Sequence, residues 1–385
     1  MIHTLTLNTA IDMNIFCDPL QPAAVNRTRQ TEYCPNGKGV NVSLVLHHYQ
    51  QPTHVMGIFG GFTGRYIVEE LRKQHINVTP AWVAEPTRIN IFINDGSDEY
   101  KLVNPGARID DEGKEQILHH LQCVTPGDYL VISGSLPPGI ESRFYSEILV
   151  LCQQKGCEVI LDISHPVLRQ LLEWRPLLIK PNDDELKEIF GLDVSSPRRV
   201  REAMQTLHQL GARNVLLTLG AQGLYFSNGA QLWFCSAPKI ELVSSACAGD
   251  AALGAFLSHW LNTDDIPQAL ALASATGADV AASAGLGWYS LAPTLLAPYS
   301  LSVSATAFLS NIMHELFSIV AVPAVAQRIG YIEAVALPGA TAMDTVLPVV
   351  VSATSDRMAL YSFTSGAVLS LSVPFLVPAI IALPF

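Results

Sequence analysis

The stretch V-S-S-A-C-A-G-D-A-A-L-G-A, residues 243–255, decides the fold more than any other part of the chain. A β-rich run over 232–243 stops at small residues, and an apolar helix follows. The N–H groups of Ala248 and Gly249 and the positive end of the helix dipole would then point at one place, where an anion binds favourably. Asp250 follows at once, so the stretch predicts an anion site with a carboxylate base, as phosphoryl transfer to an alcohol requires. A plain turn with a helix N-cap is the alternative interpretation.

A second turn of the same kind lies near the N-terminus, in C-P-N-G-K-G-V-N-V-S-L-V-L at 34–46. Gly37 precedes Lys38, an apolar helix begins just after them, and Asn41 lies in its first turn. Upstream, T-L-T-L-N-T-A-I-D at 4–12 alternates like a strand and ends on a carboxylate. This second turn therefore places a cation and an amide at the start of another helix.

Strand and helix patterns alternate through the first three quarters of the chain. The alternation predicts a doubly wound α/β fold with a parallel sheet, whose site lies at the carboxyl ends of the strands. The predicted strands are 54–59, 130–133, 158–163 and 215–219, and the predicted helices between them include 64–74 and 142–155.

Eight motifs in order carry a family resemblance over residues 1–287. They are T-L-N-x-A-I-D at 6–12, V-N-R at 25–27, G-K-G-V-N-V-S at 37–43, T-R-I-N-I at 87–91, S-G-S-L-P-P-G at 133–139, K-P-N-D-D-E-L at 180–186, T-L-G-A-Q-G at 218–223 and the A-G-D helix. Together they resemble the PfkB carbohydrate kinases of the ribokinase-like superfamily, in particular the branch of 1-phosphofructokinase and tagatose-6-phosphate kinase.

The resemblance implies a ribokinase-like fold with a small β lid, drawn from about 12–35 and 87–103, that covers the sugar and mediates a homodimer. It implies that Asp250 is the general base, taking the proton of the attacking hydroxyl. The N–H groups of Ala248 and Gly249 would hold the developing negative charge.

The resemblance also implies an ATP site. Lys180, Asn182 and Glu185 form the K-P-N-x-x-E pattern, in which Lys180 meets the phosphates and Glu185 holds Mg²⁺ through water. A capped helix with exposed acids is the alternative for that pattern. The nucleotide loop would contain Thr218, Gly220 and Gly223.

The remaining candidate residues would bind the sugar phosphate: Asp12, Gly37, Lys38, Asn41, Arg88, Ser135 and Arg27, the last of them across a dimer. Three positions depart from the family pattern. Cys247 and Asn36 stand where glycine is usual, and Thr9 stands where proline is frequent. If residue 247 needs a positive φ, cysteine there costs about 1 kcal/mol.

The expected reaction is therefore ATP plus fructose 1-phosphate giving ADP plus fructose 1,6-bisphosphate. Tagatose 6-phosphate and fructose 6-phosphate are the alternative acceptors, because the motifs indicate a phosphorylated sugar without fixing the position of its phosphate.

Composition agrees with a kinase over residues 1–287. This part holds 21 Lys and Arg against 30 Asp and Glu, a net charge of −9, with no basic patch rich in aromatic residues. Nucleic acid is therefore not an expected partner. The seven cysteines lie here without a CxxC spacing, and no secretory segment follows Met1, so a cytoplasmic kinase domain with reduced thiols is expected.

Residues 288–385 have a different composition, with six charged residues only. Two uncharged runs, 280–313 and 358–385, exceed the roughly 20 apolar residues that span a bilayer, so helices of membrane type and inner-membrane association are expected. Segments 285–293, 307–316 and 330–350 resemble the C-terminal third of the lysine exporter family. The chain looks like a junction of two unrelated genes near 285–287. The alternative of another class is a membrane transport fragment for lysine that carries the kinase as a passenger.

Overall fold

The computed structural model describes residues 1–240, 247–263, 265–282 and, further along, 317–318, 321–323, 325–326, 334, 347–354, 358, 361–362 and 364. The chain divides into two compact units, 1–284 and 285–385.

A nine-stranded sheet forms the centre of the first unit, in the order β13-β12-β11-β10-β9-β8-β1-β4-β5. All neighbouring pairs from β5 to β11 are parallel. Its strands are β1 Ile2–Thr6, β4 Thr53–Gly60, β5 Asn77–Val83, β8 Tyr129–Ser133, β9 Glu158–Asp162, β10 Leu178–Ile179, β11 Val215–Thr218, β12 Leu224–Ser227 and β13 Leu232–Cys235. The predicted α/β sheet is therefore confirmed, with one difference. Strands β12 and β13 are antiparallel at one edge, since the turns before them are too short for a parallel crossover.

Helices cover both faces of this sheet. They are α1 Lys38–His48, α2 Gly61–Lys73, α3 Asp111–His120, α4 Arg143–Lys155, α5 Leu168–Leu171, α6 Asp183–Glu185, α7 Pro197–Leu210, α8 Ala248–Trp260 and α9 Ile266–Ala282. Leu253 and Phe256 of α8 pack with Val131 and Ile160 on one face, whereas Leu130 and Leu161 face the opposite core. Alternate residues of each strand are thus buried on opposite sides, as in a doubly wound sheet.

A second sheet of four strands has the order β3-β2-β6-β7. The strands are β2 Ala10–Cys17, β3 Thr28–Asn36, β6 Arg88–Asn94 and β7 Glu99–Leu102. They occupy the segments from which the sequence predicts a β lid. Strand β2 leaves the end of β1, and β3 leads into α1, so this small sheet adjoins the carboxyl ends of the large one.

The second unit is described only in part. A helix, Leu347–Ala353, and a small apolar cluster of Val322, Ala326, Ala334 and Val350 belong to it. Among the described residues, no helix is both long and apolar enough to cross a bilayer. Most of the predicted membrane helices of 288–385 lie outside the described residues, so the membrane prediction gains no support from the structure.

Candidate active site

The predicted base, Asp250, lies in the first turn of α8 and is buried at 7% exposure. Asn41 of α1 donates from Nδ2 to its Oδ2 over 2.8 Å. Burial first, and then the neighbouring Asp162, raise the pKa of Asp250 to about 6, although Lys38 and Lys180 oppose the shift. A carboxyl with this pKa is ionised at neutral pH and is a stronger base than an ordinary aspartate.

Two ammonium groups meet one buried carboxylate beside Asp250. Lys180 Nζ lies 3.1 Å and Lys38 Nζ 3.3 Å from Asp162 Oδ1. Burial disfavours the charge of Lys38, but Asp162, Asp250 and Glu185 outweigh it and raise the pKa of this lysine. The two lysines in turn hold the pKa of Asp162 below its usual range in spite of its burial. Lys38 therefore stays charged where phosphates would bind.

The first turn of α8 faces this pair of cations. A Cβ added to Gly249 would lie 3.6 Å from Lys180 Nζ. The structure thus brings the N-terminus of α8, Asp250, Lys38 and Lys180 together. Asp162 was missed, although a lone carboxylate ending the apolar strand E-V-I-L-D was a signal for it.

Asn182 and Glu185 form a capping box at α6. Asn182 Oδ1 accepts from the Glu185 N–H over 2.7 Å, and Glu185 Oε2 accepts from the Asn182 N–H over 3.0 Å. The capped-helix alternative is therefore present. Glu185 Oε1 still accepts from the Ser164 hydroxyl and lies 3.8 Å from Lys38 Nζ, so this carboxylate also faces the site.

The donor set around Glu185 fits a hydrated divalent cation. Asp162 Oδ2 is buried and has no hydrogen-bond partner among the described residues. An orphaned carboxylate oxygen near a second carboxylate offers the oxygen ligands that Mg²⁺ prefers, mostly through water.

The predicted sugar side contains a chain of amides and carboxylates. Asn36 donates to Asp12 Oδ2, and Asn36 Oδ1 accepts from the Gly37 N–H and, over 2.9 Å, from Asn41 Nδ2. Asn90 donates to Asp12 Oδ1 over 2.8 Å. Burial raises the pKa of Asp12 to about 6, against the effects of Asn90 and Arg88. Asn36 and Asn90 join the predicted Asp12, Gly37 and Asn41 here.

Cys247, the N-cap of α8, has φ +62°. The position therefore does demand the left-handed region, where a side chain is strained. Its Sγ lies 3.2 Å from Asn41 Nδ2, and burial, together with Asp250 and Asp12, raises the pKa of the thiol.

Arg88 and Ser135 lie at the junction of the two sheets. Arg88 donates to the carbonyls of Asn104 (2.8 Å) and Asn8 (3.4 Å), and Ser135 Oγ accepts from Asn8 Nδ2 over 3.1 Å. The predicted Arg27 is exposed before β3. None of the described hydrogen bonds or ion pairs joins it to the other candidates, so the structure does not bring Arg27 into the cluster.

The predicted nucleotide loop follows β11. Thr218 pairs with Asn182 in an isolated bridge, which joins the loop to the K-P-N segment. Gly220 has φ +52° and open space around it. A Cβ on Gly223 would lie 2.1 Å from the Cys235 carbonyl oxygen, so packing alone accounts for that glycine.

Comparison with known proteins gives two family matches. The model of lysine exporter LysO matches residues 243–381. The model of the pfkB family carbohydrate kinases matches residues 6–290, and the two matches overlap over 243–290.

Individual relatives agree with the match to the pfkB family. D-tagatose-1-phosphate kinase of Klebsiella oxytoca is 81% identical over 287 residues, which are 74% of this chain and 94% of the relative. 1-Phosphofructokinase of Bacillus subtilis is 33% identical over 288 residues, with the same coverage. The structure of phosphofructokinase-2 from Escherichia coli with substrates and products aligns with a TM-score of 0.70 and 26% identity, over 73% of this chain and 93% of that one. Because the pfkB model matches residues 6–290 and a kinase relative is 81% identical over 287 residues, the chain belongs to the pfkB family of carbohydrate kinases and is a sugar-phosphate kinase.

Proposed function

We propose that the protein transfers the γ-phosphoryl group of ATP to the free 6-hydroxyl of a ketohexose 1-phosphate, with D-tagatose 1-phosphate as the acceptor. The observation that carries the reaction type is Asp250, buried at the N-terminus of α8 beside Lys38 and Lys180. The relative that is 81% identical supports tagatose 1-phosphate over the fructose 1-phosphate expected from the motifs.

In the proposed reaction, Asp250 takes the proton of the acceptor hydroxyl. The hydroxyl oxygen forms a bond to the γ-phosphorus, the bond from that phosphorus to the bridging oxygen breaks, and ADP leaves. The N–H groups of Ala248 and Gly249 and the two ammonium groups stabilise the charge on the transferring phosphoryl group. Mg²⁺ would neutralise charge on the nucleotide phosphates, held through water by Glu185 and Asp162.

The sugar would lie against Asp12, Asn36, Asn41 and Asn90, with Gly37 allowing close approach. D-Tagatose and D-fructose differ only in configuration at C4, so acceptor choice depends on the groups that meet this hydroxyl. We assign the acceptor's own phosphate to Arg88 and Ser135, and retain Arg27 as a contact across the predicted lid-mediated homodimer. Nucleotide binding is proposed for Lys180, Asn182, Thr218, Gly220 and Gly223.

A coupled assay of ADP release tests the acceptor. The full chain is given ATP, Mg²⁺ and, in turn, the 1-phosphates and 6-phosphates of D-tagatose and D-fructose. We expect the highest kcat/KM with tagatose 1-phosphate. A higher value with fructose 1-phosphate would reinstate the motif-based expectation, and activity with the 6-phosphates alone would contradict the proposal.

Lysine transport is the second candidate, favoured by the exporter match over 243–381. Expression in a cell that lacks lysine export is its test. Restored export would establish transport, and unchanged export would leave phosphoryl transfer as the function of the chain.

A further inference from the structure

Three metal-ligating side chains converge at the amino ends of the strands, the opposite edge of the sheet from Asp250. His3 of β1 and His54 of β4 are partners in the parallel register, so their side chains lie side by side. Their Nδ1 atoms are 3.2 Å apart. Cys123 ends the turn after α3, and its Sγ and the two ring nitrogens all lie within 4.8 Å of one another.

Each imidazole also makes a hydrogen bond through its second ring nitrogen, Nε2. His3 Nε2 lies 3.4 Å from Asp128 Oδ2, and His54 Nε2 lies 2.8 Å from Thr79 Oγ1. Asp128 is itself fixed by the Thr125 N–H at 2.9 Å and by the amino group of Met1 at 2.9 Å. Carboxylate or hydroxyl groups behind a histidine orient the imidazole of a metal site in this way.

The hydrogen-bond pattern agrees with ligation through the Nδ1 atoms. Asp128 Oδ2 lies against His3 Nε2, so the carboxylate accepts the proton of that nitrogen. This leaves the lone pair of His3 Nδ1 directed at His54, 3.2 Å from its Nδ1.

We propose that His3 Nδ1, His54 Nδ1 and Cys123 Sγ form a binding site for a zinc ion, with water as the fourth ligand. Two imidazoles and a thiolate suit Zn²⁺ in tetrahedral geometry and disfavour Mg²⁺ and Ca²⁺, which prefer oxygen. Nothing in the kinase reaction uses these side chains. The competing account is a plain hydrogen-bonded chain, in which Thr79 donates to His54 and His54 Nδ1–H donates to His3.

Metal titration of the full chain, after removal of metals by chelation, decides between these accounts. We expect one equivalent of Zn²⁺ to bind, and one equivalent of Co²⁺ to give a thiolate-to-cobalt charge-transfer band that Cys123→Ser removes. His54→Gln removes a ligand, and Thr79→Val removes the hydroxyl group that supports His54. In both variants we expect the affinity for Zn²⁺ to fall by about 10- to 100-fold. Millimolar Mg²⁺ should not compete.

Matched controls are Cys235→Ser and His119→Gln, which change a thiol and an imidazole outside the cluster and should bind as the parent does. Unchanged kcat in every variant shows that it folds, since the cluster lies away from Asp250. Less than one equivalent of bound Zn²⁺, a charge-transfer band that survives Cys123→Ser, or equal affinity in the parent and in both His54→Gln and Thr79→Val would overturn the site in favour of the hydrogen-bonded chain.

Discussion

At the scale of single residues, the strained backbone of Cys247 has a direct consequence. Its φ of +62° suits glycine, whereas any side chain there costs about 1 kcal/mol. We expect Cys247→Gly to turn over at the parent rate or faster, because the helix N-terminus keeps its position and Asn41 is freed from the thiol. Cys247→Ala is the matched control, since it removes the thiol and keeps the strain.

The free energy of unfolding, measured with a denaturant, should therefore be about 1 kcal/mol higher for Cys247→Gly than for Cys247→Ala. Equal stability of the two variants would mean that the positive φ is not a source of strain. A large loss of turnover in Cys247→Gly would mean that the thiol itself has a role in the anion site.

The pH dependence of kcat/KM follows from two buried carboxyls. Asp250 and Asp12 both have a pKa raised to about 6, chiefly by burial. Each acts as an ionised acceptor of a proton or hydrogen bond, so activity should fall as the pH drops through 6. In Asp12→Asn, we expect the slope of the acid limb, in a plot of log kcat/KM against pH, to decrease by one proton.

The phosphates of both substrates also titrate near pH 6, but they are common to the parent and to the variant. The difference between the two profiles therefore isolates Asp12. Identical acid limbs would show that this carboxyl does not need to be ionised for the sugar to bind.

At the scale of elements, Asn182 has two roles that one pair of variants separates. Its side chain caps α6, and its replacement by alanine should cost about 1 kcal/mol of unfolding free energy. Asn182→Ser keeps a capping oxygen and should lower the unfolding free energy by only a few tenths of about 1 kcal/mol. If Asn182 also binds nucleotide, Asn182→Ser should raise the KM for ATP at nearly parent stability. A parent-like KM for ATP would reduce the residue to a helix cap.

The elements that sequence predicts well are those with a local pattern. The predicted strand at 158–163 and helix at 142–155 match β9 and α4 within about a residue, because an apolar run or a helical period defines each one. Strand β10 escaped prediction because it has only two residues. The antiparallel edge escaped because pairing direction depends on how the sheet assembles.

In the candidate site, too, sequence finds the residues that lie in a local motif and misses those that depend on the fold. Asp250 and Lys38 stand in turns with recognisable spacing, so sequence finds them. Asp162, Asn90 and the contact from Asn36 to Asp12 depend on residues brought together from distant strands, and no local pattern encodes those distances. Arg27 is the opposite case, because its motif is local but the fold leaves it exposed, and its contact across a dimer stays a prediction.

At the scale of the whole molecule, the kinase residues all lie in the unit 1–284, which has its own apolar cores. We expect the fragment 1–287 to retain the kcat of the full chain with tagatose 1-phosphate, because no proposed site residue follows Asp250. Parallel assays of the two proteins, with circular dichroism as the check on folding, measure this. A folded but inactive fragment would show that residues 288–385 are needed for phosphoryl transfer.

For residues 288–385, composition predicts a membrane segment, and this prediction depends on sequence alone. Long uncharged runs predict membrane helices, but the residues that would form them lie mostly outside those that the structure describes. The exporter match and the low charge of this segment therefore keep the membrane expectation as a prediction. The lid-mediated homodimer likewise stays a prediction, since a single chain is described.

The most direct test of the central claim is the turnover of Asp250→Asn with ATP and D-tagatose 1-phosphate. The amide is nearly isosteric and can still accept from Asn41, so both substrates should bind with little change in KM. Turnover should fall by at least the roughly 10²- to 10⁴-fold that general acid–base catalysis contributes. A variant that binds both substrates and turns over at nearly the parent rate would contradict the assignment of Asp250 as the base.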